Sequence, residues 1–260
     1  MLVIPGLDGD PGLVRAAAPR LFRGMRVLPF DHRLDPMAGG VEGLAERALA
    51  VLDADSEAET PAFVCGESFG GTAALTLARR YPARIRGLIL FSAFGWYPSV
   101  VTRTPQLGLA LWRVLGDRGA ERILRFWRPL SLPGALGVPC SWKLARAYLR
   151  RPAPHLPGYR AKCEVSLHFD ARPWLESIRC PTFILIGTWD PVVPTRAGEE
   201  LARRIPNARL HRLPGGHLAH VVRSAQAGDL ISGWLADSQM DESATERTVS
   251  VPRVLLSSPS

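Results

Sequence analysis

The feature that most constrains the fold is an alternation of short apolar runs with segments of helical periodicity. The runs are apolar at successive positions, which is typical of parallel strands buried on both faces. They begin near Leu2, Val27, Ala62, Gly87 and Thr182, and a sixth segment, Leu210 to Leu213, has the character of a short strand. The pattern predicts an α/β protein with a mostly parallel sheet of about six strands, flanked by helices on both sides.

One long stretch interrupts this alternation and divides the chain. The predicted core comprises residues 1–94 and 167–236, with helices expected at 42–52, 71–80, 196–205 and 220–235. Residues 95–166 are rich in Trp, Arg and Pro and are predicted to form a lid of two or three helices at the C-terminal edge of the strands. Residues 237–260 are polar, Ser-rich and aperiodic, and are predicted to be a disordered tail.

A serine stands at the tip of a glycine-rich turn in Gly66-Glu67-Ser68-Phe69-Gly70. The segment fits G-x-S-x-G with a strand before it and a helix after it, the setting of a nucleophile on a sharp, strained turn. A phosphate-binding loop is a weaker interpretation, because neither G-K-[ST] nor G-x-G-x-x-G occurs at this turn. An ordinary tight turn is the other alternative, so the decision depends on whether a base and an acid follow.

Both partners follow, each just after a predicted strand. Asp190 lies in "ILIGTWDPVVP" and His217 lies in "LHRLPGGHLAH". A serine hydroxyl needs a general base, and the base needs an orienting carboxylate. The order Ser68, Asp190, His217, with all three beyond the C-terminal ends of strands, therefore predicts a catalytic triad.

A tetrahedral oxyanion also needs preorganised N–H donors. The first is predicted to be the backbone N–H of Phe69, directly after the nucleophile. The second is expected from the early turn "IPGLDG", through the N–H of Leu7.

On these motifs the chain resembles the α/β-hydrolase superfamily over residues 1–235. The resemblance implies that superfamily's fold, a serine nucleophile and an acyl-enzyme intermediate. Two departures stand out. The oxyanion turn reads Pro5-Gly6 where many members have His-Gly, and it begins five residues from Met1, although two strands usually precede it. The second visible strand then forms the sheet edge, or the true start lies upstream.

Two subgroups share further features with the chain. "PGLDG" and "GESFGG" resemble esterases and acyltransferases related to phytyl ester synthases. The basic lid is similar to that of carrier-protein methyl ester esterases, and this resemblance implies docking of an acidic acyl carrier protein.

The leading functional hypothesis is a cofactor-independent serine hydrolase that cleaves carboxylic esters. An acyltransferase or thioesterase could use the same triad, and a non-catalytic ligand-binding protein on the same fold is the alternative from another class. An intact triad argues against the last. No cofactor and no metal are expected, because no His, Cys, Asp or Glu cluster has ligand spacing.

The positive charge is concentrated in the lid. Between Val100 and Lys162 there are twelve Arg and Lys residues and two acids, a net +10 in a chain of net +8, so the remainder carries −2. This face could dock an anionic partner or an acyl-carrier-borne ester, or it could be a solvated surface. No nucleic-acid motif accompanies it. Trp112 and Trp127 are predicted to line an acyl pocket, with lid packing as the alternative.

The sequence also predicts the compartment and the roles of several residues around the triad. No apolar run has membrane-spanning length, the N-terminus lacks signal-peptide features, and the four cysteines have reduced-thiol character, so a cytoplasmic protein is expected. His32 and Asp8 are expected to stabilise their loops, and Glu67 to bond to a neighbouring loop. His220 is the rival base, expected at the surface or behind His217.

Overall fold

The computed structural model describes residues 1–55, 60–97, 109–110, 112–124, 142–151 and 154–249, with side chains up to residue 238. Six parallel strands form one sheet in the order β2-β1-β3-β4-β5-β6. Their bounds are β1 Leu2–Ile4, β2 Leu28–Pro29, β3 Ala62–Glu67, β4 Ile85–Phe91, β5 Thr182–Gly187 and β6 Ala208–Leu213. The predicted parallel sheet of six strands is confirmed.

Helices cover both faces of this sheet, as predicted. One face packs against α2, α3 and α7, and the other against α1, α8 and α9. The helices are α1 Gly12–Leu21, α2 Gly40–Asp53, α3 Gly70–Arg80, α4 at residues 112–124, α5 Trp142–Leu149, α6 Leu156–His168, α7 Thr195–Arg204, α8 Ala219–Val222 and α9 Ser224–Val249; short 3₁₀ turns occupy Pro82–Arg84 and Leu175–Ser177.

The burial of β4 explains why its residues 87–91 form an unbroken apolar run. Leu88 and Leu90 belong to the core on one face, whereas Ile89 and Phe91 belong to the core on the other. Successive side chains of a strand point to opposite faces, so a strand covered on both sides needs apolar residues at every position.

The sheet edge is formed by β2, the second visible strand. Leu28 and Pro29 of β2 lie in register with Leu2 and Val3 of β1. Proline cannot donate a ladder hydrogen bond, so an edge strand is where it is tolerated. Within the described residues, β2 is therefore the edge of the sheet.

Helix α1 was not predicted from the sequence. Pro19 lies inside it, and a proline within a periodic segment usually ends a helix. The buried residues nevertheless have helical spacing: Leu13, Val14, Ala17, Ala18 and Leu21. Pro19 cannot donate to the Arg15 carbonyl, so burial of this apolar face outweighs that cost, and the spacing was the better signal.

The C-terminal prediction was wrong in part. Helix α9 does not end at 235 but continues to Val249, which corrects the disordered tail for residues 237–249. Between Gly233 and Pro252 the sequence contains neither glycine nor proline, so its polar composition does not prevent a helix. Residues 250–260 lie outside the described part.

The lid follows β4 and precedes β5. Helices α4, α5 and α6 lie in it, and a bridge between Trp96 and Asp170 joins the two chain segments at its base. Residues 98–108, 111, 125–141 and 152–153 of this region are outside the described part of the chain.

Candidate active site

The backbone of Ser68 has a strained conformation between β3 and α3. Its φ of 52° lies in the left-handed region, which costs a non-glycine residue on the order of 1–3 kcal/mol. Two hydrogen bonds hold the turn: the Ser68 N–H donates to the Phe91 carbonyl at 2.8 Å, and the Gly71 N–H donates to the Ser68 carbonyl at 3.0 Å. This strained turn is the backbone geometry that G-x-S-x-G predicts at its serine, although the Ser68 side chain is buried.

Close backbone contacts explain the glycines on either side of the serine. A Cβ at Gly66 would lie 2.6 Å from the Gly71 Cα, and a Cβ at Gly70 would lie 2.2 Å from the Ile4 carbonyl oxygen. Neither neighbour can move, since both are backbone of the central strands and helix. The elbow therefore packs too tightly for any side chain at these positions.

Asp190 and His217 form a hydrogen-bonded pair beyond the ends of β5 and β6. The His217 Nδ1–H donates to the Asp190 Oδ2 at 2.7 Å. The Asp190 Oδ1 accepts the backbone N–H groups of Val192 at 2.8 Å and Val193 at 2.9 Å. The carboxylate is thereby fixed, and it selects the histidine tautomer whose Nε2 is unprotonated.

The electrostatics of this pair favour its charged forms. Burial lowers the pKa of His217, but the charge and hydrogen bond of Asp190 and the charge of Glu67 raise it above its ordinary 6.5. Burial raises the pKa of Asp190, but the His217 charge and the N–H donors lower it below its ordinary 3.8. Both shifts fit a histidine whose protonated form is stabilised beside a carboxylate.

The three predicted triad residues follow strands that end on the same side of the sheet. Ser68 follows β3, Asp190 follows β5 and His217 follows β6, and these strands are parallel. Their C-terminal ends therefore meet on the same side, where open α/β sheets place their sites. The catalytic roles of these residues are the subject of the proposal below.

The predicted oxyanion donors lie on two segments that touch. A Cβ at Gly6 would lie 3.5 Å from the Ser68 Cβ, so the early turn packs on the elbow. The Gly9 N–H donates to the Gly6 carbonyl at 2.9 Å. In a trans peptide the N–H and C=O groups point in opposite directions, so the Leu7 N–H is expected to point away from that bond. Within the described part of the chain, neither the Leu7 N–H nor the Phe69 N–H donates a hydrogen bond.

A charged cluster surrounds the elbow. Burial raises the pKa of Glu67 to about 7, and the charge of Asp8 adds to that rise while Arg151 opposes it. Arg151 forms an ion pair with Asp8 and lies 3.8 Å from the Asp10 carboxylate. Arg151 thus links the lid to the oxyanion turn, instead of belonging to a freely exposed basic face.

The two other histidines near the site are buried. His220 was expected at the surface or behind His217, but it is completely buried and stacks on Phe91 with ring centroids 4.4 Å apart. Burial and the His217 charge lower its pKa to about 3, which makes it a poor base. His32 is also buried, and its Nε2–H donates to the Pro5 carbonyl at 3.0 Å.

The lid residues singled out from the sequence have different surroundings. Trp112 is buried, its Nε1–H donates to Asp117 at 2.8 Å, and its ring stacks against Tyr159 at 6.4 Å. These contacts lie within the lid and fit the packing alternative as well as a pocket wall. Trp127 lies outside the described residues, so its predicted role stays a prediction.

The described part of the chain lacks two other features, a metal-binding cluster and a membrane-spanning helix. No group of three or more His, Cys, Asp or Glu side chains there could hold a metal ion. Among the same residues, no helix has both the length and the apolar character needed to cross a bilayer.

Comparison with known proteins relates this chain to hydrolases. The model of a family described as "alpha/beta hydrolase fold" matches residues 58–224. A pimeloyl-[acyl-carrier protein] methyl ester esterase from Aromatoleum aromaticum is 32% identical over 231 residues, 82% of this chain and 88% of that protein. A poly(3-hydroxyalkanoate) depolymerase from Ectopseudomonas oleovorans is 26% identical, over 97% of this chain and 88% of that protein.

A solved structure shares the fold. The enol-lactonase from Burkholderia xenovorans superposes with a TM-score of 0.74 at 22% identity, over 90% of each chain. The two curated relatives are by name a depolymerase and an esterase, which supports hydrolysis of esters in broad terms.

Proposed function

Because this chain belongs to the α/β-hydrolase fold family, we propose that it is a cofactor-independent serine hydrolase that cleaves carboxylic esters. One observation carries the proposal. A serine with a strained, left-handed backbone follows β3 at the same sheet edge as a histidine bonded at 2.7 Å to a buried carboxylate. Nucleophilic catalysis by serine needs those three groups in that arrangement.

In the first half-reaction the Ser68 Oγ attacks the ester carbonyl carbon. The His217 Nε2 takes the hydroxyl proton, and the carbonyl electrons move to oxygen, where the Leu7 and Phe69 N–H groups stabilise the oxyanion. The tetrahedral adduct then collapses, the C–O bond to the alcohol breaks, and His217 gives its proton to the departing alkoxide. The products are an acyl-Ser68 ester and a free alcohol.

In the second half-reaction water replaces the alcohol. His217 takes a proton from water as it attacks the acyl carbonyl, and the same two N–H groups hold the second oxyanion. Collapse breaks the bond to Ser68, returns the proton to its Oγ and releases the acid. Throughout, Asp190 orients the imidazole and stabilises its protonated form.

The substrate class follows from the lid and from one relative. The relative that is 32% identical acts, by its name, on a methyl ester carried by an acyl carrier protein, and such carriers are acidic. The segment between Val100 and Lys162 has a net charge of +10, and Arg113, Arg118 and Arg122 are exposed on α4. We therefore include acyl-carrier-borne esters, together with small-molecule esters, among the proposed substrates.

A fluorophosphonate probe and an ester panel test the proposal. The purified protein should be labelled at Ser68, and Ser68→Ala should abolish labelling and turnover. p-Nitrophenyl esters of graded chain length, one acyl thioester and one added alcohol acceptor then separate hydrolysis from thioester cleavage and acyl transfer by the same triad.

Two results would overturn it. Labelling that persists in Ser68→Ala would mean that another residue is the nucleophile. Tight ester binding without turnover or labelling in the wild type would favour a non-catalytic ligand-binding protein.

A further inference from the structure

Lys162 on α6 is a buried cation that the proposed reaction does not use. Its side chain is completely buried, although lysine is among the residues that are least often buried. The chain has 32 Lys and Arg residues, of which only Lys143 and Lys162 are lysines. In so arginine-rich a protein, a compact ammonium at this one buried position suggests a constraint that a larger guanidinium cannot meet.

The ammonium of Lys162 is directed at the loop after β2. Its Nζ donates to the His32 carbonyl at 2.6 Å, the one hydrogen bond of this ammonium within the described residues. Burial lowers the pKa of Lys162, and the charges of Asp35, Asp8 and Asp31 raise it, so that it stays below its ordinary value. A buried charge is costly unless it is well bonded, which fixes the lysine firmly to that carbonyl.

His32 in turn holds both ends of the early turn. Its backbone N–H donates to the Gly9 carbonyl at 3.1 Å, and its Nε2–H donates to the Pro5 carbonyl at 3.0 Å. Its ring lies between Phe30 and Phe69, at centroid distances of 5.5 and 6.3 Å. Burial, together with the charge of Lys162, lowers its pKa to about 4, so the ring is neutral and its single proton is committed to Pro5.

The Pro5 carbonyl is where the turn meets the elbow. A Cβ at Gly70 would lie 2.5 Å from the Pro5 carbonyl oxygen, so this oxygen is held between His32 and the backbone just after Phe69. The next residue, Gly6, packs on Ser68. Any shift of Pro5 therefore changes the separation between the Leu7 N–H and the Phe69 N–H.

We propose that His32 and Lys162 are positioning residues that align the two halves of the oxyanion hole. Lys162 on α6 donates a hydrogen bond to the His32 carbonyl, and His32 donates hydrogen bonds to the Pro5 and Gly9 carbonyls. The turn thereby presents the Leu7 N–H opposite the Phe69 N–H. Because Lys162 belongs to α6, the two N–H groups are aligned when this helix packs against the loop after β2. The inference rests on the proposed function, since it needs an oxyanion at this place.

The test uses variants that keep shape and remove donors. His32→Phe removes the bond to Pro5, His32→Gln keeps an N–H donor there, and Lys162→Met keeps the side-chain length without the ammonium. Ser166→Ala is the matched control, because Ser166 is a buried polar residue of the same helix whose Oγ donates to the Lys162 carbonyl at 2.7 Å. The readouts are kcat and KM for a p-nitrophenyl ester, the Ki of a trifluoromethyl ketone and Tm.

Misaligned donors affect the tetrahedral state more than the bound ester. We expect His32→Phe to lower kcat by about 10- to 100-fold with little change in KM, and to raise the Ki of the ketone by a similar factor. Lys162→Met should shift both in the same direction with only a small change in Tm, because the loss of the buried bond to the His32 carbonyl is offset by removal of the cost of burying the ammonium. His32→Gln should recover most of kcat, and Ser166→Ala should retain it.

Two outcomes would overturn the inference while the proposed function stands. One is a Ser68-dependent wild-type activity that His32→Phe and Lys162→Met leave unchanged. The other is a loss of kcat that is proportional to the loss of Tm in all four variants. The contacts of Lys162 and His32 would then support folding and would not align the two N–H groups. Absence of Ser68-dependent activity in the wild type would instead refute the proposed function.

Discussion

Asp190 binds His217 with one carboxylate oxygen and two backbone N–H groups with the other. Asp190→Asn preserves the size of this side chain, but an amide can donate to Nδ1 and so favours the wrong tautomer of His217. We expect kcat to fall by about 10⁴-fold, as in other Ser-His-Asp enzymes, with unfolding midpoints near those of the wild type. Asp229→Asn, which alters only an exposed pair with Arg23, should retain full activity.

The pKa of His217 gives the same variant a second, independent readout. The base must be unprotonated to act, and Asp190 raises its pKa above 6.5. The acidic limb of kcat/KM in the wild type should therefore lie above pH 6.5, and in Asp190→Asn it should move to lower pH. A limb that stays in place would show that a different group titrates.

His217 and His220 are three residues apart but have opposite environments, so they make a direct comparison. His217→Ala should lower kcat by roughly 10⁴-fold or more. His220→Phe keeps a ring stacked on Phe91 and should change kcat by less than a few fold. Steady-state kinetics on one ester decide between them, and the reverse pattern would mean that His220 is the base.

Glu67 should make folding stability depend on pH. Its pKa is about 4.5 when unfolded and about 7 when folded, because burial disfavours the carboxylate. Ionisation of Glu67 alone should therefore lower the stability of the wild type by about 3 kcal/mol as pH rises from 4.5 to above 7. Glu67→Gln has no carboxylate to ionise. Its gain in the free energy of unfolding over the wild type should therefore be absent at pH 4 and greatest at pH 8.

Urea unfolding across this range measures the effect, and Glu200→Gln provides a control of opposite sign. The side-chain hydrogen bond from Arg204 lowers the pKa of Glu200, so the Glu200 carboxylate adds folding stability as pH rises. Glu200→Gln should lack this gain in stability. If Glu67→Gln and the wild type kept parallel curves from pH 4 to 8, the buried carboxylate would not titrate in this range.

The triad positions were predictable because their signals are local. Ser68 and Asp190 each follow an apolar run that reaches a glycine, and His217 follows a shorter, partly polar strand that stops at Pro214. Parallel strands carry the residues after them to one edge of the sheet. The chain order then suggested which histidine and which aspartate form the pair. The 2.7 Å bond between the two agrees with that assignment.

The link from Lys162 to His32 was not predictable in the same way. These residues are 130 positions apart, and their contact depends on how α6 of the lid packs against the loop after β2. His32 was expected only to stabilise its own loop, although it also bonds to Pro5. The one local signal was the rarity of lysine in this chain, which does not by itself indicate burial.

The basic lid gives the last prediction, which concerns the encounter with substrate. Arg118 and Arg122 are exposed on α4, within the segment of net charge +10. Reversing both to Glu should lower kcat/KM for an acyl-carrier-borne ester by about tenfold at low salt, because a basic face raises the association rate of an acidic carrier. A small neutral ester should keep its kcat/KM.

The matched control reverses Arg15 and Arg20, which are exposed on α1, and changes the net charge equally. It should have a smaller effect on kcat/KM for the carrier substrate. The difference should also shrink with salt, since the Debye length falls from about 10 Å at 0.1 M to about 3 Å at 1 M. Stopped-flow or steady-state assays of both substrates at both salt concentrations provide the comparison. Equal losses on the two substrates, independent of salt, would mean that Arg118 and Arg122 support the lid and do not dock a partner.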